Sequence, residues 1–372
     1  MKKIGNIKNI AVVVMTSLFL FGFSAWGILK KDDEFSISER RPLAQMPTLS
    51  AESVADGSFT SDFEDYSLDQ FPLRDSFRRL KSITSFYVFG KLDNNGIYIK
   101  DGYASKLEYP ENYDSADYAI SRMRYVYEKY FKDSDANIYI SVIPDKNRFL
   151  AGEGSVYPSI NYGNYFEYIK KSADFADYID ITDLTDIADY YKTDTHWRQE
   201  CITDIADRLI EAMGQIPPVR EYSEATSDEP FYGVYYGQSA LPLDADTLKY
   251  LESETIDSAT VYDYENSEYI SVYDKEKLAG KDPYEVFLSG SKSLLTIKNE
   301  NASSDRKLVL FRDSFGSSIA PLFIDSYAEI SLIDIRYISP SVIDKFIDLY
   351  GDNTDVLFLY STLVLNNSET FK

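Results

Sequence analysis

Apolar residues fall along this chain in three successive rhythms. The first is unbroken: Ala11 to Leu29 runs nineteen residues without a charge. At roughly 1.5 Å per residue, a helix of that length crosses a hydrocarbon layer of about 30 Å. The second is helical. Phe59, Phe63 and Tyr66, then Phe77, Leu80, Ile83 and Phe86, recur at intervals of three and four between about Ser58 and Gly90. That pattern predicts two helices broken at Pro72, with the proline in the first turn of the second. Asn94-Asn95-Gly96 predicts a turn between short strands, with Ile97-Tyr98-Ile99 after it.

The third rhythm alternates helix and strand. Tyr113 to Phe131 reads as an amphipathic helix and Ala136 to Pro144 as a buried strand. Phe166 to Tyr178 reads as a helix, Tyr178 to Ile181 as a short strand and Leu184 to Tyr190 as a brief helix. A longer helix follows from about Arg198 to Met213. Gly214 to Ser303 is less regular, with turn signals at Pro217-Pro218, Tyr232-Gly233 and Tyr236-Gly237, and reads as a strand-rich insertion. Alternation resumes with strands at Lys307–Phe311, Ala328–Ile333 and Val356–Tyr360 and helices at Gly316–Ile324 and Ser341–Leu349. Strands separated by helices predict an α/β fold whose mainly parallel sheet is covered on both faces. The organisation expected is a tail and anchor over 1–31, a helical and extended segment over 32–100, and an α/β domain over 101–372 that carries the insertion at about 214–303.

Charge settles orientation and excludes several partners. Lys2, Lys3 and Lys8 precede the apolar run, and no acid does. This predicts a cytoplasmic amino terminus and an extracytoplasmic main domain in the cell membrane. A cleaved signal peptide is the competing reading, but Phe23-Ser24-Ala25-Trp26-Gly27 lacks a clear small-x-small cleavage site. Sixty-one acids against thirty-eight bases give a net charge of −23, spread along the chain, which repels nucleic acid. One histidine and one cysteine cannot assemble a zinc site of the usual ligands, so no metal or other cofactor is expected.

The scarcity of histidine also narrows the chemistry. His196 is the sole imidazole and follows Asp194 by two positions in Thr193-Asp194-Thr195-His196-Trp197. Far downstream, the apolar run Leu308–Phe311 ends in Arg312-Asp313-Ser314-Phe315-Gly316, a strand that delivers a serine at its carboxyl end. Asp194, His196 and Ser314 supply an orienter, a base and a nucleophile. Asp-Ser after a strand is also an ordinary helix cap, and a lone His beside Trp is also an ordinary core pair. Topology favours the active reading. In a parallel sheet ligands bind beyond the carboxyl ends of the strands, and Ser314, Pro144-Asp145-Lys146 and the Asp194–His196 loop all follow predicted strands.

These residues resemble the DHHW family of bacterial envelope proteins and, more broadly, the SGNH-like acetyltransferase domains of alginate O-acetylation. The matching pieces are Arg41-Pro42-Leu43-Ala44 with Pro47, Asp69-Gln70-Phe71-Pro72 with Arg74-Asp75, and Pro144-Asp145-Lys146. They continue through Asp194-Thr195-His196-Trp197, Tyr232-Gly233 to Tyr236-Gly237, and Asp313-Ser314-Phe315-Gly316. The chain departs from the family name at Thr195, where a histidine is implied. The resemblance implies an SGNH-hydrolase-like three-layer fold and an O-acetyltransferase that modifies an envelope or exported polysaccharide. In it Asp194 orients, His196 is the base and Ser314 takes the acyl group.

The N–H groups of Ser314 and Phe315 are the expected oxyanion donors. Lys146, Arg312, Arg336 and Tyr236 are the expected substrate contacts. A multi-span membrane acyltransferase is the implied partner, because one span cannot carry an acyl donor across a membrane. An esterase with the same three residues, and a polysaccharide-binding protein without activity, are the alternatives the sequence leaves open.

Overall fold

Residues 2–219, 221–302, 304–349 and 353–372 are described by a computed structural model. Met1, at the head of the predicted tail, and Ser303, the last residue of the predicted insertion, lie outside them. The chain divides into two units, 1–94 with 237–242, and 95–236 with 243–372.

The first unit begins with helix α1 (Lys2–Leu29), whose stretch Ile7–Leu29 is long and apolar enough to cross a membrane. Helices α2 (Ser58–Asp69) and α3 (Arg74–Ile83) follow, and α3 runs on into a wider helical turn, Thr84–Val88. Pro72 lies in the turn before α3 rather than in its first turn. Leu73 takes a left-handed conformation, φ 57°, and reverses the chain there, so regular helix starts only at Arg74. A polar cluster holds the unit together. Arg41 donates to both carboxylate oxygens of Asp69, at 2.8 and 2.6 Å, and the Ala44 N–H adds a third bond at 2.9 Å. The hydrogen bonds from Arg41 hold the Asp69 carboxyl down at about 2.

The second unit is built on one sheet. Its helices include α4 (Tyr113–Tyr130), α5 (Tyr162–Ser172), α6 (Thr203–Ala212) and the short α8 (Phe315–Ile319), while α7 (Val234–Ser239) starts in it and ends in the 237–242 segment of the first unit. Its strands are β1 (Asn137–Ile143), β2 (Asp177–Tyr178), β3 (Thr260–Asp263), β4 (Glu268–Ile270), β5 (Leu294–Lys298), β6 (Lys307–Arg312), β7 (Glu329–Ile333) and β8 (Thr354–Ser361). They lie in the order β4-β3-β5-β7-β6-β8-β1-β2. From β7 through β6, β8 and β1 to β2 every pairing is parallel; from β7 outward through β5 and β3 to β4 every pairing is antiparallel.

Side chains alternate across a strand, and here both sides are apolar, which places these strands inside the protein. Leu308 and Leu310 of β6 join Leu357 and Leu359 of β8 in a core with Ile205 and Leu209 of α6. Val309, Phe311, Val356 and Phe358 enter the opposite core, with Ile120 and Met123 of α4 and Phe166 of α5. Helices on both faces of a mainly parallel sheet make the three layers that the alternation predicted.

Two local expectations change. The stretch from 214 to 303 does contain a two-stranded ribbon, Ser223–Phe231 with Asp246–Glu252, outside the main sheet. Its remainder, however, supplies β3, β4 and β5, which extend the main sheet. Where helices were expected at Gly316–Ile324 and Ser341–Leu349, α8 gives way to a tighter 3₁₀ turn at Ala320–Phe323, and Pro340–Lys345 is 3₁₀ throughout. Pro321 lies just after α8, where a ring with no N–H cannot continue the α ladder.

Candidate active site

Ser314 stands at the carboxyl end of β6 as the residue before α8, half-buried. The turn that presents it is fixed by the fully buried Asp313. One Asp313 oxygen accepts from the Phe315 N–H at 3.0 Å; the other accepts from the Ser361 N–H, at the end of β8, at 2.7 Å. Gly316 is required on the inner side, because a Cβ there would run into the side chain of Arg312.

Asp194 and His196 reach the same place from a loop between β2 and α6. The His196 ring lies between the other two side chains: Nδ1 is 2.6 Å from Asp194 Oδ1, and Nε2 is 2.8 Å from Ser314 Oγ. With Asp194 ionised, Nδ1 carries the proton and Nε2 accepts from the serine hydroxyl. The remaining acceptor sites of Asp194 are occupied. Its Oδ1 also takes the His196 N–H at 3.0 Å and its Oδ2 takes the Val234 N–H at 2.8 Å.

The loop itself is clamped. Asp246 accepts from the N–H groups of Lys192 and Thr193 and from the Thr193 hydroxyl, at 2.8, 2.7 and 2.6 Å. Gly233 donates to Thr193 Oγ1 at 2.9 Å and lies so close that a Cβ would collide with Asp194.

Three residues that the sequence reading did not single out complete the surroundings. Tyr284 lies flat on the imidazole, centroids 3.8 Å apart and planes 8° apart, and the Phe315 ring leans on it from 4.9 Å. The Tyr284 hydroxyl donates to Ser318 Oγ at 2.9 Å, and Trp197 Nε1 donates to the same oxygen at 2.8 Å. Ser318 in turn donates to Phe315 O at 3.2 Å, which saturates its hydroxyl. Gln199 is the third. Its amide N–H donates to Ser318 O at 2.7 Å, and its oxygen accepts from Leu251 N and the Tyr273 hydroxyl. Trp197 is thus a structural anchor for the residue beside it.

The other expected contacts lie elsewhere or are engaged. The Phe315 N–H is bound to Asp313, so of the two proposed oxyanion donors only the Ser314 N–H is without an acceptor among the described residues. Lys146 is 1 % exposed, and its ammonium donates to Tyr191 O at 2.9 Å and Lys192 O at 3.3 Å, bracing the Asp194 loop from inside. Burial pushes that ammonium down to about 7, with the Asp194 carboxylate pulling the other way.

Arg312, also expected at substrate, is fully buried and reaches toward Asp334 at 3.8 Å; burial lowers it too. Arg336 grips the same Asp334 with two bonds, at 2.9 and 2.6 Å. Strand-end arginines here neutralise an interior aspartate, because a buried charge needs a partner. Tyr236 is half-buried. Its ring packs against that of the exposed Tyr232, centroids 4.6 Å apart and planes tilted by 41°, and its N–H donates to Thr193 O. Among the described residues, no group of three or more His, Cys, Asp or Glu side chains gathers as a metal site would.

Neither a protein-family model nor a curated protein matches the sequence. Solved structures do. A DHHW family protein from Eubacterium siraeum is 26 % identical with a TM-score of 0.59, over 75 % of this chain and 95 % of that one. PatB1 of Bacillus cereus is 16 % identical with a TM-score of 0.58, over 72 % of this chain and 96 % of that one, and has also been solved with a sulfonyl adduct. The O-acetyltransferase domain of Pseudomonas putida AlgJ is a more distant neighbour, at 11 % identity and a TM-score of 0.46, over 73 % of this chain and 92 % of that one. In structure, then, the chain resembles a DHHW family protein with an SGNH-like α/β fold, as its motifs implied.

Proposed function

We propose that the chain is a membrane-anchored, extracytoplasmic acyltransferase that O-acetylates an envelope or exported polysaccharide through Ser314, His196 and Asp194. The observation that carries this reading is the continuous relay from Asp194 Oδ1 through the imidazole to Ser314 Oγ, at 2.6 and 2.8 Å.

The steps follow from that geometry. His196 Nε2 takes the hydroxyl proton as Ser314 Oγ adds to the acyl carbonyl of a donor. The Ser314 N–H faces the oxyanion, and Asp194 steadies the charged imidazole. As the intermediate collapses, the donor's leaving group departs with the proton from His196, and an acyl-serine ester remains. A sugar hydroxyl then gives its proton to His196 and attacks the ester. Breakdown returns the proton to Ser314 and releases the acylated sugar. The paired Tyr232 and Tyr236 belong to the segment that holds Asp194, and their rings are suited to lie against a sugar.

In this reading α1 is the anchor, with the lysines at its amino-terminal end on the cytoplasmic side. The acyl donor comes through a multi-span membrane partner.

The test uses the purified full chain and a chromogenic acetyl ester, with and without sugar oligomers. Loss of acetate release in both Ser314→Ala and His196→Ala, with acetylated sugar among the wild-type products, supports the proposal. Equal release by wild type and both variants refutes it. A sulfonyl fluoride, the class of electrophile suggested by the PatB1 adduct, should label Ser314 in the wild type and fail in His196→Ala.

A further inference from the structure

Helix α3 and the turn after it leave a run of large apolar side chains in water. Surface helices normally turn such residues inward. In α3 polar side chains take up part of the inner side. Arg78 Nη2 donates to Gly237 O at 2.9 Å and Ser82 Oγ to Ser239 O at 2.6 Å; Ser82 and, three residues on, Ser85 are buried. The outward face carries Leu73 and Leu80, and the turn after it carries Tyr87, Val88 and Phe89, each 53–73 % exposed.

The first unit offers no apolar core to receive them. Leu43 and Leu241 are its only buried large apolar side chains among the described residues. Contiguous exposed apolar surface of this kind marks a contact with something apolar.

Charge and position identify the occupant. Between Phe71 and Leu92 stand Arg74, Arg78, Arg79, Lys81 and Lys91 against Asp75 alone, in a chain whose net charge is −23. Arg74 and Arg78 pair with Glu39, whereas Lys81 and Lys91 are exposed on the same stretch as the apolar patch. The start of this stretch is packed on α1. Phe23 stacks on Phe71 at 5.4 Å and meets Phe77 edge-on at 5.7 Å. Phe23 lies six residues before Leu29, the end of the apolar span, which is about 9 Å along a helix. Residues packed there sit within about two helical turns of the outer end of the span.

We infer that α3 and the turn after it lie in the outer headgroup layer of the membrane. Leu80, Tyr87, Val88 and Phe89 enter the acyl boundary, and Lys81 and Lys91 contact anionic phospholipid headgroups. This rests on the reading of α1 as a membrane anchor. The arrangement is that of an interfacial helix, with aromatic and aliphatic residues below and lysines at the headgroups. It fixes the first unit against the bilayer, where a bare span would leave it free to swivel.

The two tryptophans make the test internal, since Trp26 lies near the end of α1 and Trp197 is fully buried. The full chain is reconstituted in vesicles of equal phosphatidylcholine and phosphatidylglycerol, with ordinary or brominated acyl chains. The quenching lost on Trp26→Phe reports the anchor, and Val88→Trp in the Trp26→Phe background reports the patch. Val88 is 71 % exposed, so the substitution tests contact without repacking a core, and unshifted Trp197 emission checks the fold.

Bromine quenching of the Val88→Trp fluorophore to the same fraction as Trp26 is expected. Adding Lys81→Glu with Lys91→Glu should weaken it. Quenching of Trp26 without quenching at position 88 overturns the inference while leaving the anchor intact. Quenching that the charge reversal leaves unchanged overturns the anionic headgroup as partner. An unquenched Trp26 removes the anchor reading, and this one with it.

Discussion

The imidazole of His196 and the phenol ring of Tyr284 lie face to face, 3.8 Å apart and nearly parallel, and the phenol is tied down through Ser318. An aromatic face attracts cationic charge and restricts rotation of what it covers. In the proposed mechanism Tyr284 is therefore a positioning residue for His196. Tyr284→Leu is expected to lower the rate of acetyl-ester turnover roughly tenfold or more by letting the ring wander. Tyr284→Phe keeps the stack and should retain most of the activity. Equal loss in both variants, measured as kcat, would mean that the hydroxyl rather than the ring face matters.

Asp194→Asn should be nearly as damaging as loss of the serine. Both Asp194 oxygens accept from backbone N–H groups, so an amide nitrogen in place of either oxygen faces a donor with another donor. The imidazole then loses the acceptor that sets its tautomer. A fall in kcat of about 10³–10⁴ is expected, by analogy with the effect measured in serine proteases. A circular dichroism spectrum like that of the wild type would show that the loss is chemical.

Gly233→Ala separates geometry from stability. The new methyl meets Asp194 directly, so the loop must shift to admit it. Catalytic geometry tolerates little displacement, and turnover should fall by about a hundredfold. Because the bonds of Asp246 to Lys192 and Thr193 remain, the melting temperature should change far less than it does for a core cavity.

The neighbours Asp145 and Lys146 predict opposite pH dependences of stability. Burial, helped by Glu108, raises the Asp145 carboxyl to about 7. The folded state therefore holds a proton that the unfolded state releases near 4, and this contribution is lost as pH rises from about 4 to about 7. Lys146 runs the other way: lowered to about 7, it penalises the folded state below that pH. Its penalty fades between about 7 and about 10.5. Asp145→Asn should flatten the acid side of the stability curve and Lys146→Met the alkaline side, each by up to about 4 kcal/mol. Denaturant midpoints collected from pH 4 to pH 10, in the range of about that window, check both signs.

What the sequence disclosed depended on whether a signal was local. Strands β6 and β8 are continuous apolar runs that stand out in any window, and both occupy the middle of the sheet. The sole histidine and the strand-end serine were conspicuous by rarity and position, and the fold brings them within hydrogen-bonding distance across 118 residues.

Tyr284 was invisible because it is one of thirty-two tyrosines, and its partner is 88 positions away. Lys146 and Arg312 look like surface charges in sequence. Only the packed structure gives them a backbone loop and an aspartate to neutralise. The antiparallel strands β3, β4 and β5 were hidden for a related reason. Only two short 3₁₀ segments and no α-helix separate them, so the stretch has no helix–strand alternation to mark it as part of the same sheet.

The saturated hydroxyl of Ser318 has a consequence for how this site comes into being. It receives Trp197 and Tyr284 and gives to Phe315, so one oxygen belongs at once to the histidine loop, to the ring that covers the imidazole and to the helix behind the serine. Three stretches distant in sequence share a single vertex, and none can settle without the others. His196 and Ser314 should accordingly order in one step during folding and be lost in one step on unfolding, with no intermediate in which the serine waits for its histidine.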